Sequence, residues 1–159
     1  MMKTKNKEAI DVAFIPPFAY LVPLVIGLAL HFWVLPLRLF PNALVGRVVG
    51  WPFFVISIFL SIWAMKTIRS EGEHADVRKP TNKLVTSKPF SFSRNPMYLS
   101  LNLLYLGVGF LSNTLWLIIL LPPALVAIHY GVIFREERYL ERLFGKEYRQ
   151  YKTKVRRWF

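Results

Sequence analysis

Residues 14–35 read FIPPFAYLVPLVIGLALHFWVL, 22 positions without one charged side chain. At about 1.5 Å per residue a helix of that length crosses a hydrocarbon core of about 30 Å, so the stretch reads as a membrane span. A secretory signal competes for the same residues, because Lys3, Lys5 and Lys7 precede them. The apolar run is longer than an h-region, and no small-x-small cleavage site follows it. Working outward, residues 48–65 form a second span, 97–112 a short third and 115–134 a fourth. Only Asn113-Thr114 separates the last two, which predicts a tight antiparallel hairpin. Pro122-Pro123 is expected to kink the fourth span, since each proline removes a backbone donor and crowds the preceding turn. The fold expected is all-α and polytopic: one membrane domain over residues 1–159, four transmembrane helices, a 66–96 loop and a cytosolic tail helix over 135–158.

Composition agrees with this reading. Of 159 residues 54% are hydrophobic and 16% aromatic, and mean hydropathy is +0.36, which excludes both a disordered chain and an ordinary soluble domain. The 21 Lys+Arg against 9 Asp+Glu give a net charge of +12. Three of these cations precede the first span, two lie between spans one and two, seven fall in 66–96, none in the 113–114 turn and nine from Arg135 onward. With both termini in the cytosol, 19 of the 21 lie inside, as the positive-inside rule requires. A bacterial inner membrane is the expected setting. That bias explains the charge without nucleic acid, which would call for a basic face on a soluble module. Absence of cysteine removes disulfides, thiolate metal sites and a cysteine nucleophile.

In the tail, Leu140, Leu143, Phe144, Tyr148, Tyr151, Val155 and Trp158 recur at three- and four-residue steps between Arg138, Arg142, Arg149 and Lys152. This is an amphipathic pattern on the cytosolic face, with Gly145 as a possible bend. A basic interfacial anchor would show the same pattern. The 66–96 loop lies on the same side, and Pro80, Pro89 and Pro96 hold its second half on a defined path. It delivers Arg94, Asn95 and Tyr98 to the mouth of the third span, where an arginine can grip a carboxylate and an amide or phenol can orient a polar ligand. A headgroup anchor followed by a turn is the competing reading.

Glu136 and Glu137 end the fourth span, where an unpaired negative charge is costly and invites a cation. Salt bridges to Arg135 or Arg138 would satisfy them equally well. His129 lies seven residues before Glu136, two turns along one face of an α-helix, so the two are expected to line one cavity. A hydrogen bond to a neighbouring helix also accounts for His129, and His31 and His74 show no partner. No metal site is read: the three histidines are scattered, and no helix carries ligands at metal spacing. Gly107 and Gly109 suit close helix packing better than cofactor binding.

LVTSKPFSFSRNPMY at 84–98, EERYLERLFGKEY at 136–148 and the short hairpin between them resemble the isoprenylcysteine carboxyl methyltransferase family, integral-membrane enzymes that use S-adenosyl-L-methionine. The likeness covers about Pro80 to Trp158. It implies a methyltransferase with that cofactor, a lipophilic or prenylated acceptor and a bilayer setting. By the same resemblance Leu84 and Val85, with Asn82 and Lys83, line the cofactor, and Phe90 stands where relatives can have tyrosine. Asn95, Pro96, Met97 and Tyr98 fill an Arg-His-Pro-x-Tyr motif, and Glu136 matches a cofactor-contacting glutamate, with Glu137 beside it for the ammonium. Arg94, Asn95, Tyr98 and His129 are the catalytic candidates. Two departures stand out. Asn95 replaces histidine and gives up titration near neutral pH. Val132 stands where prenylcysteine enzymes can place a substrate-binding arginine. The rival readings are a phospholipid or lipid-amine methyltransferase, a sterol-reductase-like enzyme with reduced nicotinamide, and a non-catalytic membrane scaffold.

Overall fold

The computed structural model describes residues 16–74, 76 and 79–158. Lys3, Lys5, Lys7, Phe14, Ile15 and Arg78, on which parts of the span and charge expectations rest, lie outside the described residues.

Among the described residues six α-helices and two π-helical turns follow one another: α1 (Pro16–Ala29), π1 (Leu30–Val34), α2 (Ala43–Ser70), α3 (Pro96–Leu111), α4 (Leu115–Ile128), π2 (His129–Ile133), α5 (Phe134–Phe144) and α6 (Lys146–Lys154). Three helical rods are long and apolar enough to cross a membrane: Pro16–Val34, Ala43–Ser70 and Leu115–Phe144. The fourth expected span, α3, is an apolar helix of 16 residues. The exterior of the rods is apolar, with Phe32, Trp33, Val48, Phe59 and Val126 all exposed. A soluble protein cannot sustain such a surface, and a hydrocarbon solvent favours it.

Close packing of α2 on α3 is a consequence of small residues. A Cβ on Gly46 would stand 2.5 Å from the Phe110 carbonyl oxygen, one on Gly50 2.8 Å from the Leu111 amide nitrogen, and one on Gly107 2.9 Å from the Phe54 nitrogen. The glycines let backbone meet backbone, as expected for Gly107 and extended here to the Gly46-x-x-x-Gly50 pair on α2. α1 packs on α4, with Gly27 facing Leu117.

At one end of the bundle the α3–α4 turn is tied to the α1–α2 connection. Asn113, at φ 51°, accepts from the Phe40 amide at 2.8 Å and donates to the Phe40 carbonyl at 3.0 Å. The Leu115 amide donates to Leu37 at 2.9 Å, and Trp116 Nε1 to the Leu35 carbonyl at 2.8 Å. Thr114 caps α4 by accepting from the Trp116 amide, and Asn42 caps α2 by accepting from Leu44, each satisfying a donor the helix leaves open. At the opposite end gather the 71–95 loop, α5, α6 and the residues after it.

Three local expectations are corrected. The second span runs from Ala43 to Ser70, so the loop starts at Glu71. α4 contains both Pro122 and Pro123, and π2 follows from His129. The tail is two helices: Gly145, at φ 54°, adopts a backbone that favours glycine and turns the chain between α5 and α6. Trp158 lies beyond α6, outside the helical stripe.

Candidate functional site

The 71–95 loop is held by its own polar groups. Glu71 pairs with Lys83 and accepts from the Ser87 hydroxyl at 2.9 Å, and Lys83 holds the Glu71 carboxyl below its usual value. Buried Glu73 accepts from the Asn82 amide at 3.0 Å, and the Thr67 hydroxyl donates to the Lys88 carbonyl at 2.9 Å. The tail closes over this loop. Leu84 packs with Tyr148, Tyr151 and Val155, and the Tyr151 hydroxyl donates to the Phe90 carbonyl at 2.6 Å. The Arg94 amide donates to the Arg156 carbonyl at 3.0 Å. The Ser93 hydroxyl and the Asn95 side-chain amide both donate to the Arg157 carbonyl at 3.2 Å.

Between loop, α5 and α6 lies a pocket lined by Ile68, Glu73, His74, Thr81, Lys83, Leu84, Val85, Phe90, Arg94, Asn95, Glu136, Glu137, Leu140, Tyr148 and Tyr151. Eight residues expected at a site meet here: Lys83, Leu84, Val85, Phe90, Arg94, Asn95, Glu136 and Glu137. Asn82 borders the pocket through its neighbours and bonds Glu73. Pro96 is buried and Met97 partly buried, and neither lines the pocket. They start α3 and so aim Tyr98, whose hydroxyl donates to Glu136 Oε2 at 2.9 Å. Ile68, Glu73, His74, Thr81, Leu140, Tyr148 and Tyr151 were not foreseen. Of these Leu140, Tyr148 and Tyr151 carried a signal, since they belong to the apolar tail stripe and such a stripe asks for buried partners.

The two adjacent glutamates differ sharply. Glu137 is buried and binds two guanidiniums: Arg157 bidentately, at 3.0 and 2.7 Å, and Arg94 at 3.2 Å. Those partners come from the tail and the loop, and the carboxylate raises the Arg157 guanidinium above its usual value. Glu137 thus has most of its acceptor capacity taken up by two guanidiniums of the protein itself. Glu136 accepts from Tyr98, and no cation among the described residues pairs with it. Arg94 is the complement: its Nε and NH1 are buried without a hydrogen-bond partner. One lone carboxylate and one half-used guanidinium face the same small space.

His129 is elsewhere. It lines a second cavity of about 600 Å³ with Leu99, Asn102, Leu125, Val126, Tyr130 and Trp158. The expectation that His129 and Glu136 share one cavity is therefore corrected. A π turn takes up one residue more than an α turn, so π2 sets everything after it back by about 100°, and a seven-residue spacing no longer returns to the same face. α3 runs past both cavities, presenting Asn95 to the first and Leu99 and Asn102 to the second. The Tyr98–Glu136 hydrogen bond lies between.

The model of a family described as phospholipid methyltransferase matches residues 45–147, more than half of the chain and including α2, α3, α4, the loop and α5. The chain belongs to the phospholipid methyltransferase family. That family falls within the isoprenylcysteine carboxyl methyltransferase-like superfamily, in keeping with the resemblance read from the loop and tail. This family member is a membrane methyltransferase, related to lipid chemistry at the level the family gives. A Haemophilus influenzae protein described only as uncharacterized is 50% identical over 64 residues, 39% of this chain and 98% of that one. No solved structure matches.

Proposed function

We propose that the protein transfers a methyl group from S-adenosyl-L-methionine to a lipophilic acceptor, with both termini in the cytosol of a bacterial cell. The observation that carries this reading is the charge asymmetry of the loop pocket. An amino-acid moiety brings one ammonium and one carboxylate, and the pocket offers Glu136 without a cation and Arg94 with two unpartnered donors. Charge-assisted pairs of that kind are the strong ones in a closed site. Leu84, Val85 and Phe90 supply an apolar wall for the adenosyl part. The donor set fits the cofactor. The enclosed space, about 100 Å³, falls below the roughly 300–1,000 Å³ of ordinary ligand pockets, so loop and tail part when it loads.

When bound, the sulfonium supplies an activated methyl group and its own leaving group, and the protein's work is alignment. Glu136 and Arg94 fix the amino-acid end, Tyr98 holds Glu136, and the Tyr148–Tyr151 wall keeps water out. The acceptor comes from the bilayer through the second cavity, whose walls are largely apolar. A prenylcysteine-like carboxylate needs no base there, whereas an amine acceptor gives its proton to His129. Calorimetric titration of the purified protein with S-adenosylmethionine and with its demethylated product, alongside reduced nicotinamide, tests the reading. Binding of the adenosyl ligands alone, weakened in Glu136→Gln, is the expected result. A folded sample that binds neither, or that binds nicotinamide, overturns it.

A further inference from the structure

Arg157 and Trp158 are neighbours just past α6, yet they serve different cavities. Arg157 grips Glu137 in the wall of the loop pocket, at 3.0 and 2.7 Å. Trp158 lines the second cavity and packs against the core of Tyr20, Tyr98, Tyr105, Leu117, Ile128, Val132 and Ile133. The other six residues of that cavity come from α3 or from the rod formed by α4 and π2, helices whose positions the whole bundle fixes. Among the described residues, Trp158 is the single wall supplied by the tail.

The cavity's occupant follows from where it opens. Val126 and Tyr130 are 57% and 64% exposed on the apolar exterior of the spanning rod, so the mouth faces hydrocarbon. A volume of about 600 Å³ falls in the ordinary ligand range of roughly 300–1,000 Å³. Asn102 accepts from the Tyr20 hydroxyl through its carbonyl oxygen at 2.7 Å, which leaves its NH2 group, His129, the Tyr130 phenol and the Trp158 indole N–H as the polar functions of the lining. A single-chain amphiphile from the bilayer matches this combination of apolar length and polar depth.

We propose that Trp158 is a specificity-determining residue: it forms the wall that sets how bulky an acceptor chain the cavity admits, and Arg157 is the positioning residue that holds it there. The proposal deepens the methyl-transfer reading and rests on it. Two anchors hold the residue before the indole: the Arg157–Glu137 pair, and the Arg157 carbonyl, which accepts from Ser93 and Asn95. A smaller side chain at 158 widens the cavity without touching a spanning helix.

The test uses full-length protein in nanodiscs and two diazirine photoprobes, one with a linear palmitoyl chain and one with a methyl-branched prenyl chain. Labelling is mapped by peptide, and donor affinity is measured separately by calorimetry. In the native protein the linear probe is expected to label residues 125–130. Trp158→Ala is expected to raise labelling by the branched probe about tenfold relative to the linear one, the scale on which small steric changes act in apolar pockets. Trp158→Phe restores the native ratio, and donor affinity stays constant across the series. Should Trp158→Ala fail to fold, Trp158→Leu gives the same comparison. An unchanged probe ratio in a folded variant, or labelling confined to α1 and α2, overturns the proposal. Absence of donor binding in the native protein instead sinks the methyl-transfer reading, while the labelling still decides where chains bind.

Discussion

The two cavities sit side by side along α3 but are built on opposite principles. The loop pocket is small, charged, and walled by a loop and tail that meet through hydrogen bonds and ion pairs. The second cavity is larger, apolar, and walled by spanning helices that meet through side-chain packing. The first is designed to exclude water around charges, and the second to admit hydrocarbon. Their difference teaches that a protein of this size can keep a polar and a greasy ligand apart with one hydrogen-bonded pair, Tyr98–Glu136, between them.

The largest expected effect comes from the wall of the charged pocket. Glu137→Ala leaves the largely buried Arg94 uncompensated and releases Arg157, and breaking a buried pair this way costs about 3–5 kcal/mol. Denaturant titration in detergent should show that loss, and a stability equal to native would mean the pair is ornamental. Next comes Glu136→Gln, expected to weaken adenosyl binding by roughly 1.5–3 kcal/mol through loss of a charged acceptor while leaving photolabelling of the second cavity unchanged. Equal damage to both cavities would erase the distinction between them.

The Glu136 carboxylate and its Tyr98 partner sharpen the same point. Tyr98→Phe removes a neutral donor to that carboxylate and should cost about 0.5–1.5 kcal/mol of donor affinity. The smallest effect belongs to His129→Ala, for which donor affinity is expected to stay at the native value. A clear loss there would join the two cavities after all.

Much of this was legible in the sequence because hydrocarbon imposes a crude rule: the described parts of the uncharged runs at 14–35, 48–65, 97–112 and 115–134 fell almost wholly on helices. Arg94 and Asn95 were legible through the proline-held path of the loop, and Lys83, Leu84, Val85 and Phe90 through the family resemblance. What stayed hidden depended on distance. Nothing local in EERY says that Glu137 faces Arg94 and Arg157 while Glu136 faces none, since both arginines arrive by the folding back of other segments. The π turn at His129 was equally invisible: it shifts hydrogen bonds within an unbroken apolar run and leaves no mark in residue type. Tyr148 and Tyr151 were noticed as an apolar stripe, but the stripe did not say whether bilayer or loop would cover it.

The clamp around Asn113 gives the molecule a pivot. With the Leu35–Phe40 segment stitched to the α3–α4 turn, the bundle resembles tweezers joined at the end remote from the charged pocket. Loading and release can then proceed by small angular motion of the free ends, the 71–95 loop and the tail, while the joined end keeps helix order and depth constant. A mutation at Asn113, far from either cavity, would thus be felt as a change in the rate of ligand exchange before any change in what is bound.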